Sequence, residues 1–330
     1  MIPLNNIAGT EKSTAYNFNS IKTKILSLLN LSENDEYTIS GRPPYKIKIT
    51  SKMEKVILYI KTNIDDILIG KPEKLRQHIE ELETIDKDIR KTGKGKQSDI
   101  NKLLKNIFVF KAYDSSNKDK RNIIFNKFEF IKELNIKCCP YCNRDYIYTT
   151  AQNKLKHEID HFYPKNFYPY LAISYYNLIP SCKFCNQISV KGDFDTYKDK
   201  VTNPYEIKDD DFVFTYKLTS NITKKNISTI HCLDFKDAIQ VKFKKKIDMN
   251  VECFHLEELY EQHSDIVIEL ICKKTHYPKS YIQDLAVLGF TKEEIYRFLL
   301  CNFSQNTDLH KRPLSKLTKD IAKELDLIPQ

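Results

Sequence analysis

The sequence predicts an α+β fold. A small ββα unit, stapled by four cysteines, sits between a helical N-terminal region and a mixed strand and helix C-terminal region. Three observations point there. Two Cys-x-x-Cys pairs, Cys139/Cys142 and Cys182/Cys185, bracket 39 residues. Apolar residues recur at helical spacing before them. After them, short strand-like runs precede a return of the helical period. The expected segments are 1–136, 137–205 and 206–330.

In the first segment, residues 1–20 read as irregular. Ile21, Ile25, Leu28 and Leu29 then share a helical face. Gly41-Arg42-Pro43-Pro44 is a break. A second helix carries Val56, Tyr59, Ile60, Ile64, Ile67 and Leu68. A third starts near Pro72, a residue suited to a first turn, and carries Leu75, Ile79 and Leu82. The run 91–96 is a basic loop, and helices are expected around 103–108 and 123–134. This region serves as packing scaffold or as a docking surface for a partner protein, and its residues do not separate the two.

In the last segment, 212–216 and 241–243 read as strands. Lys242-Phe243-Lys244-Lys245-Lys246 either contacts phosphates or is a solvated strand edge guarded by lysine. A helical stripe runs over 256–271 and includes His263, read as a core histidine. Thr291-Lys292-Glu293-Glu294 has the capping-box form and starts a helix to about 302. A last helix covers 314–325.

The chain has 330 residues, 7 glycines and a formal net charge of +9. The length suffices for a sizeable core. No GxxxxGK[ST] or GxGxxG occurs, which argues against an ATPase or a dinucleotide enzyme. The positive charge suits nucleic acid or an acidic surface, although lysine-rich helix faces give the same sum. No signal segment opens the chain, and no apolar run approaches the roughly 20 residues of a membrane span. A cytoplasmic, reducing setting is therefore expected, with no membrane partner. There, cysteine pairs read as metal ligands rather than disulfides.

Four thiolates at Cys139, Cys142, Cys182 and Cys185 suit one structural Zn²⁺ in a closed tetrahedral site. Cys138 offers an alternative register for the first pair. Cys232, Cys253, Cys272 and Cys301 stand alone.

Between the pairs lie Asp160-His161 and Asn177, and Asn186 follows the second pair. Strands at 147–150 and 155–159, then a helix near Cys185, would make the ββα unit. Neighbours on a strand face opposite ways, so Asp160 and His161 can serve different ligands. Phosphodiester hydrolysis needs a base for water and a cation for the phosphate. His161 suits the first role. Asp160 and Asn186 offer oxygens for Mg²⁺. Asn177 would hold the loop and orient His161. His157 lies four residues back, too far along the strand to replace the base. Tyr163, Phe167, Tyr168, Tyr170, Tyr175 and Tyr176 crowd this stretch, as apolar packing or as stacking surfaces for bases.

The pattern Cys139-x-x-Cys142, Asp160-His161, Asn177, Cys182-x-x-Cys185-Asn186 resembles the HNH endonucleases of the ββα-metal fold. The resemblance covers about 139–192. It implies His161 as general base, with Asn177 in the family's middle position. It also implies Asp160 and Asn186 as ligands of a catalytic Mg²⁺ or Mn²⁺. Lys165 and Lys191 are then the expected substrate-binding lysines, and Lys191 lies a little beyond the family's usual lysine. The wording Cys-Pro-Tyr-Cys-Asn-Arg, Asp-His-Phe-Tyr-Pro-Lys and Tyr-Asn-Leu-Ile-Pro-Ser-Cys is similar to bacterial HNH proteins. Some of these act as the nuclease partner of an ATPase in antiphage defence, the Septu type. The tail Lys311-Arg312-Pro313-Leu314-Ser315-Lys316-Leu317 looks like them too. The implied activity is cleavage of nucleic acid, DNA above all. The alternatives are a zinc-stabilised module that binds nucleic acid or protein without cutting, and an effector silent until a partner ATPase engages it.

Overall fold

The structure is a computed structural model and describes residues 1–4, 16–39, 43–91, 97–114, 125–148, 158–187, 189–192, 194–219 and 239–327. It is α+β, with helices and three two-stranded antiparallel sheets among the described residues. The expectations at Gly41-Arg42, 92–96, 123–124, 149–150, 155–157 and Cys232 lie outside the described residues.

Helix α1 (Phe18–Leu28) starts where Asn17 accepts a hydrogen bond from the Ser20 amide, and it buries Ile21 and Ile25. A hairpin that the sequence did not announce follows, β1 (Glu36–Ile39) with β2 (Tyr45–Lys48). Only Tyr37, Ile39 and Ile47 of it are buried. Four-residue strands beside Pro43-Pro44 give too little alternation to read. The single helix expected over 56–68 is two, α2 (Ser51–Thr62) and α3 (Ile64–Ile69). Asn63 divides them: its backbone leaves helical angles, and its side-chain amide donates to the Tyr59 carbonyl at 2.9 Å. Helix α4 (Pro72–Ile85) has Pro72 in its first turn, as expected. Helix α5 (Asp99–Leu104) runs directly into a π-helical stretch, Lys105–Asp114. Helix α6 (Lys127–Leu134) is capped by Asn126.

The central stretch corrects the expected ββα unit. The strand paired with β3 (Glu158–His161) is β4 (Leu178–Ser181), with His161 opposite Leu178 and Glu158 opposite Ser181. At the other expected strand, the described residues show an isolated bridge from Tyr146 to Cys138. Among the described residues no helix starts near Cys185. The amide of Asn186 reaches the Cys182 carbonyl, but later turns close on three- and five-residue spacings, Val190 to Gln187 and Gly192 to Gln187. Gly192 has φ 42°. The chain thus folds back on itself and brings Lys191 inward.

In the last segment β5 (Val213–Leu218) pairs with β6 (Ile239–Lys245). The lysine run on β6 is answered from within: Lys242 pairs with Glu261, Lys245 with Asp210 and Lys246 with Glu257. Helix α7 (Asp248–Cys253) was not read in advance. The helix expected over 256–271 is α8 (Leu256–Glu261) and α9 (Ser264–His276), divided at Gln262-His263. His263 is half-buried rather than core, and its Nε2 accepts from Arg144 Nε at 2.8 Å. Burial and the Arg144 charge lower its pKa, which keeps it an acceptor. Helix α10 (Lys279–Val287) was also unread. Helix α11 (Lys292–Leu300) carries the expected capping box, and α12 (Ser315–Glu324) closes the described chain.

One apolar cluster runs through all three segments, from Met1 and Leu4 through Tyr141 and Leu178 to Leu317 and Leu327. No helix of the described residues is long and apolar enough to cross a membrane. The segments also meet through polar bonds. Ile2 N–H donates to the Pro140 carbonyl, and Leu314 N–H to that of Asn143. Asn143 is fully buried, with φ 50°. Its amide donates to the Leu309 carbonyl, and its Oδ1 accepts from Ser315 Oγ and Lys316 N–H, both at 3.1 Å. Glycine tolerates the left-handed backbone but replaces none of these bonds. Asn143→Gly and Asn143→Ala should therefore both cost about 2–4 kcal/mol, the penalty of orphaning buried donors. Urea unfolding checks this, with Ala expected to be the worse of the two.

Candidate metal centre and acid-histidine site

The Sγ atoms of Cys139, Cys142, Cys182 and Cys185 all lie within 4.8 Å of one another, and all four residues are buried. Cys142 and Cys182 are 3.9 Å apart. Four thiolates about 2.3 Å from a tetrahedral Zn²⁺ stand close to this spacing. The amides of Arg144 and Cys185 point at Cys142 Sγ and Cys182 Sγ, each at 3.4 Å, which stabilises thiolates. Hydrogen bonds from Cys139, Cys182 and Cys185 hold the Cys142 thiol well below the usual range, while burial pushes Cys139 up. Such a shared, buried set fits one cation with four closed positions. Cys138 is buried outside the cluster, so Cys139 is the member of the first pair placed to hold a metal.

Strand β3 presents Asp160 and His161 to opposite sides. Asp160 is buried, and its Oδ2 accepts from the Tyr141 hydroxyl at 2.6 Å and from Lys191 Nζ at 2.5 Å. Burial and the neighbouring Asp160 charge raise the Tyr141 pKa well above the usual phenol range, so the hydroxyl stays a donor. Lys191 also donates to the His161 carbonyl at 2.6 Å. It is therefore a buried counter-charge to Asp160 rather than a surface lysine.

His161 is buried, and its Nε2 has no hydrogen-bond partner among the described residues. The ring meets the Tyr113 ring edge-on, with centroids 4.7 Å apart. Its pKa lies well below the usual imidazole range. Burial is the largest cause, followed by the charges of Lys165, Lys191 and Lys127, while a backbone hydrogen bond at Ala172 pulls the other way. The ring is thus neutral near pH 7, with an open acceptor nitrogen.

Asn177 is fully buried. Its Oδ1 accepts from Tyr163 N–H at 2.6 Å, and its amide donates to the carbonyls of Tyr163 and Leu171. It thus ties down the loop that follows His161, and these bonds end on backbone rather than on the imidazole. Asn186 donates through its amide nitrogen to Glu158, a bond that leaves the oxygen side of the amide to other partners. Lys165 is half-buried beside Tyr113, 5.9 Å from the ring centroid. Of the crowded aromatics, Tyr163, Tyr168, Tyr170 and Tyr175 are buried as packing, and Phe167 and Tyr176 are partly so. The sequence did not single out Tyr141, Tyr113 or Lys127. Tyr141 stands between the first two ligands and was open to notice. Tyr113 and Lys127 lie far upstream with no local signal.

The central stretch thus gathers a buried four-thiol cluster, a buried acid bonded to a lysine, and a histidine with one unpartnered ring nitrogen among the described residues. The chain is similar to the Septu protein PtuB of Bacillus thuringiensis, at 47% identity over 73 residues. Those residues are 22% of this chain, and the match spans about a quarter, 26%, of that protein's own length. No family model and no solved structure matches the chain.

Two outcomes follow for the purified protein. Elemental analysis should find one zinc per chain, lost in Cys182→Ser and kept in Cys138→Ser. Lys191→Met should lower the urea midpoint by the equivalent of about 3–5 kcal/mol, because it leaves Asp160 buried without its counter-charge.

Proposed function

We propose that this chain is a metal-dependent endonuclease of the HNH type. It hydrolyses phosphodiester bonds in DNA and serves as the nuclease of a Septu-type antiphage defence system, alongside an ATPase. The observation that carries the reading is the buried, neutral His161 with its unpartnered Nε2, amid cations, on the residue next to Asp160. A general base for water needs that open acceptor. The lysines around it favour a phosphate over a neutral substrate. The similarity to a Septu protein supports the defence role.

The residues divide the work as follows. His161 Nε2 takes a proton from the attacking water. Asn177 fixes the turn after His161, and Lys191 holds the His161 carbonyl, so the strand end stays in place. A bound Mg²⁺ or Mn²⁺ stabilises charge on the phosphate and the leaving oxygen. Asp160 through Oδ1, and Asn186 through its amide oxygen, are the hard oxygen donors that would hold it. Asp160 Oδ2 stays with Tyr141 and Lys191.

The Lys191 contact also favours a second reading. A cation already sits on Asp160, as expected of a zinc-stapled module that binds nucleic acid without cutting it. Plasmid cleavage with and without Mg²⁺ separates the two. His161→Ala should lose about 10²–10⁴ in rate while keeping its zinc. Asp160→Ala and Asn186→Ala should also be inactive, with partial rescue by excess Mn²⁺ that His161→Ala does not share. Cleavage by His161→Ala at the wild-type rate would falsify the assignment of the base.

A further inference from the structure

A cavity of about 830 Å³ lies between the second half of α4, the turn after it and residues 195–198. Neither Asp160 nor His161 is among its lining residues. Its size falls within the roughly 300–1,000 Å³ of small-molecule sites. The wall is built around Arg90, of whose side chain only 11% is exposed. The guanidinium bonds Glu83 Oε1 at 2.8 Å and Asp195. It lies 5.8 Å and 4.9 Å from the ring centroids of Phe167 and Tyr168. Asp195 also accepts from the Tyr168 hydroxyl at 2.7 Å. The wall is thus fixed before any ligand arrives. Arg90 Nε–H is nonetheless a buried donor with no partner among the described residues, an arrangement that calls for an acceptor.

Lys87 and Lys198 line the same cavity and are exposed, and neither ammonium has a partner among the described residues. Lys91 differs, because it pairs with Asp88 at 2.8 Å. On α4, Glu80 accepts from the Tyr197 hydroxyl through Oε1 at 3.2 Å, and its Oε2 has no partner among the described residues. The Thr84 hydroxyl donates to the Glu80 carbonyl and keeps its own acceptor capacity. Phe167 and Tyr197 add two half-buried rings. The cavity therefore offers two cations for an anion, acceptors for hydroxyl or amine donors, and aromatic faces for a flat group. Glu80, Glu83 and Asp195 nearly balance Lys87, Arg90 and Lys198 in charge. A polyphosphate gains little from such a balance, whereas a single phosphate on a donor-rich, flat molecule uses every part of it.

We propose that this cavity is a binding site for a nucleoside monophosphate, separate from the acid-histidine site. Lys87 and Lys198 take the phosphate, and Arg90, whose Nε–H still lacks an acceptor, stands behind them. The base packs against Phe167 and Tyr197. Glu80 Oε2 and Thr84 accept from the sugar hydroxyls or from an exocyclic amine. This site does not rest on the nuclease reading.

The test is titration calorimetry of the full chain with AMP, GMP, CMP and UMP, without divalent ions, beside the four nucleosides and inorganic phosphate. At least one nucleotide should bind with a Kd below about 1 mM, and its nucleoside and inorganic phosphate each at least roughly tenfold more weakly. Lys87→Gln/Lys198→Gln should weaken that nucleotide at least roughly fivefold, since each lysine contributes an exposed charge contact. Phe167→Leu should weaken it as well and leave any binding of inorganic phosphate unchanged. His161→Ala and Lys242→Gln/Lys246→Gln should keep the wild-type affinity. The inference is overturned if no nucleotide binds at that level, if the double lysine variant matches wild type, if inorganic phosphate binds as tightly as the nucleotides, or if His161→Ala abolishes binding. If the double variant loses cooperative unfolding, Lys198→Gln alone takes its place, with a loss of at least roughly twofold expected and none overturning the site. Cleavage is not read in this assay, so loss of the nuclease reading leaves the result standing.

Discussion

The first cysteine turn, Cys139 to Asn143, is the constraint on which the rest of the molecule hangs. Two of its residues belong to the thiol cluster that joins it to the end of β4. The others reach out in different directions. The Pro140 carbonyl takes the amide of Ile2, and Tyr141 bonds Asp160. The Cys142 carbonyl accepts from Tyr260 on α8 at 2.6 Å. Asn143 holds the start of α12. A metal that fixes this turn fixes the acid, the chain start and two C-terminal helices together. Structural zinc binding is itself folding free energy, so a zinc ion held by this cluster would tie order in all three segments to the thiols.

The electrostatics of the site are built from burial rather than from many charges. Asp160 sits in a buried setting with one lysine and one phenol, both on the same oxygen. His161, one residue on and facing the other way, has no acid to stabilise a proton, and three lysines oppose it. The two side chains thus meet opposite surroundings, one bonded to a lysine and a phenol, the other held neutral by burial and nearby cations. Strand alternation achieves this at no cost in chain length. The turns after Cys185 serve the same end, because a regular helix there would not bring Lys191 back under the strand.

The four-cysteine cluster was legible because its signal is local and chemical: two short cysteine spacings need no tertiary knowledge. The α+β class, the start of α4 at Pro72, the capping box at Thr291 and the last helix were legible for the same kind of reason. Errors fell where tertiary bonds override periodicity. Asn63 ended a helix by bonding its own backbone, and β4 contains Pro180, which reads as a strand breaker yet sits opposite Ile159 in a two-stranded ladder. The true partner of β3 lay 20 residues downstream, beyond any hairpin signal. Lys191 was expected to bind substrate; it sits instead on Asp160, and nothing in its neighbours shows that the chain folds inward there. Asn177 was expected to orient His161; its bonds act on the backbone of the following loop.

The N-terminal segment was read as scaffold or docking surface, and the geometry blurs that division. Its π-helical stretch places Tyr113 edge-on against the His161 ring, with centroids 4.7 Å apart. A π-helix closes each turn over one more residue than an α-helix, and such stretches often occur at functional sites. Here the stretch is anchored at its start, through Lys105 on Asn166 and Asn101 just before it, while Tyr113 stands near its end. His161 Nε2 is buried. The aromatic ring that packs this segment onto the central stretch is thus the one that lies against the His161 imidazole, so the scaffold and the candidate site share a wall.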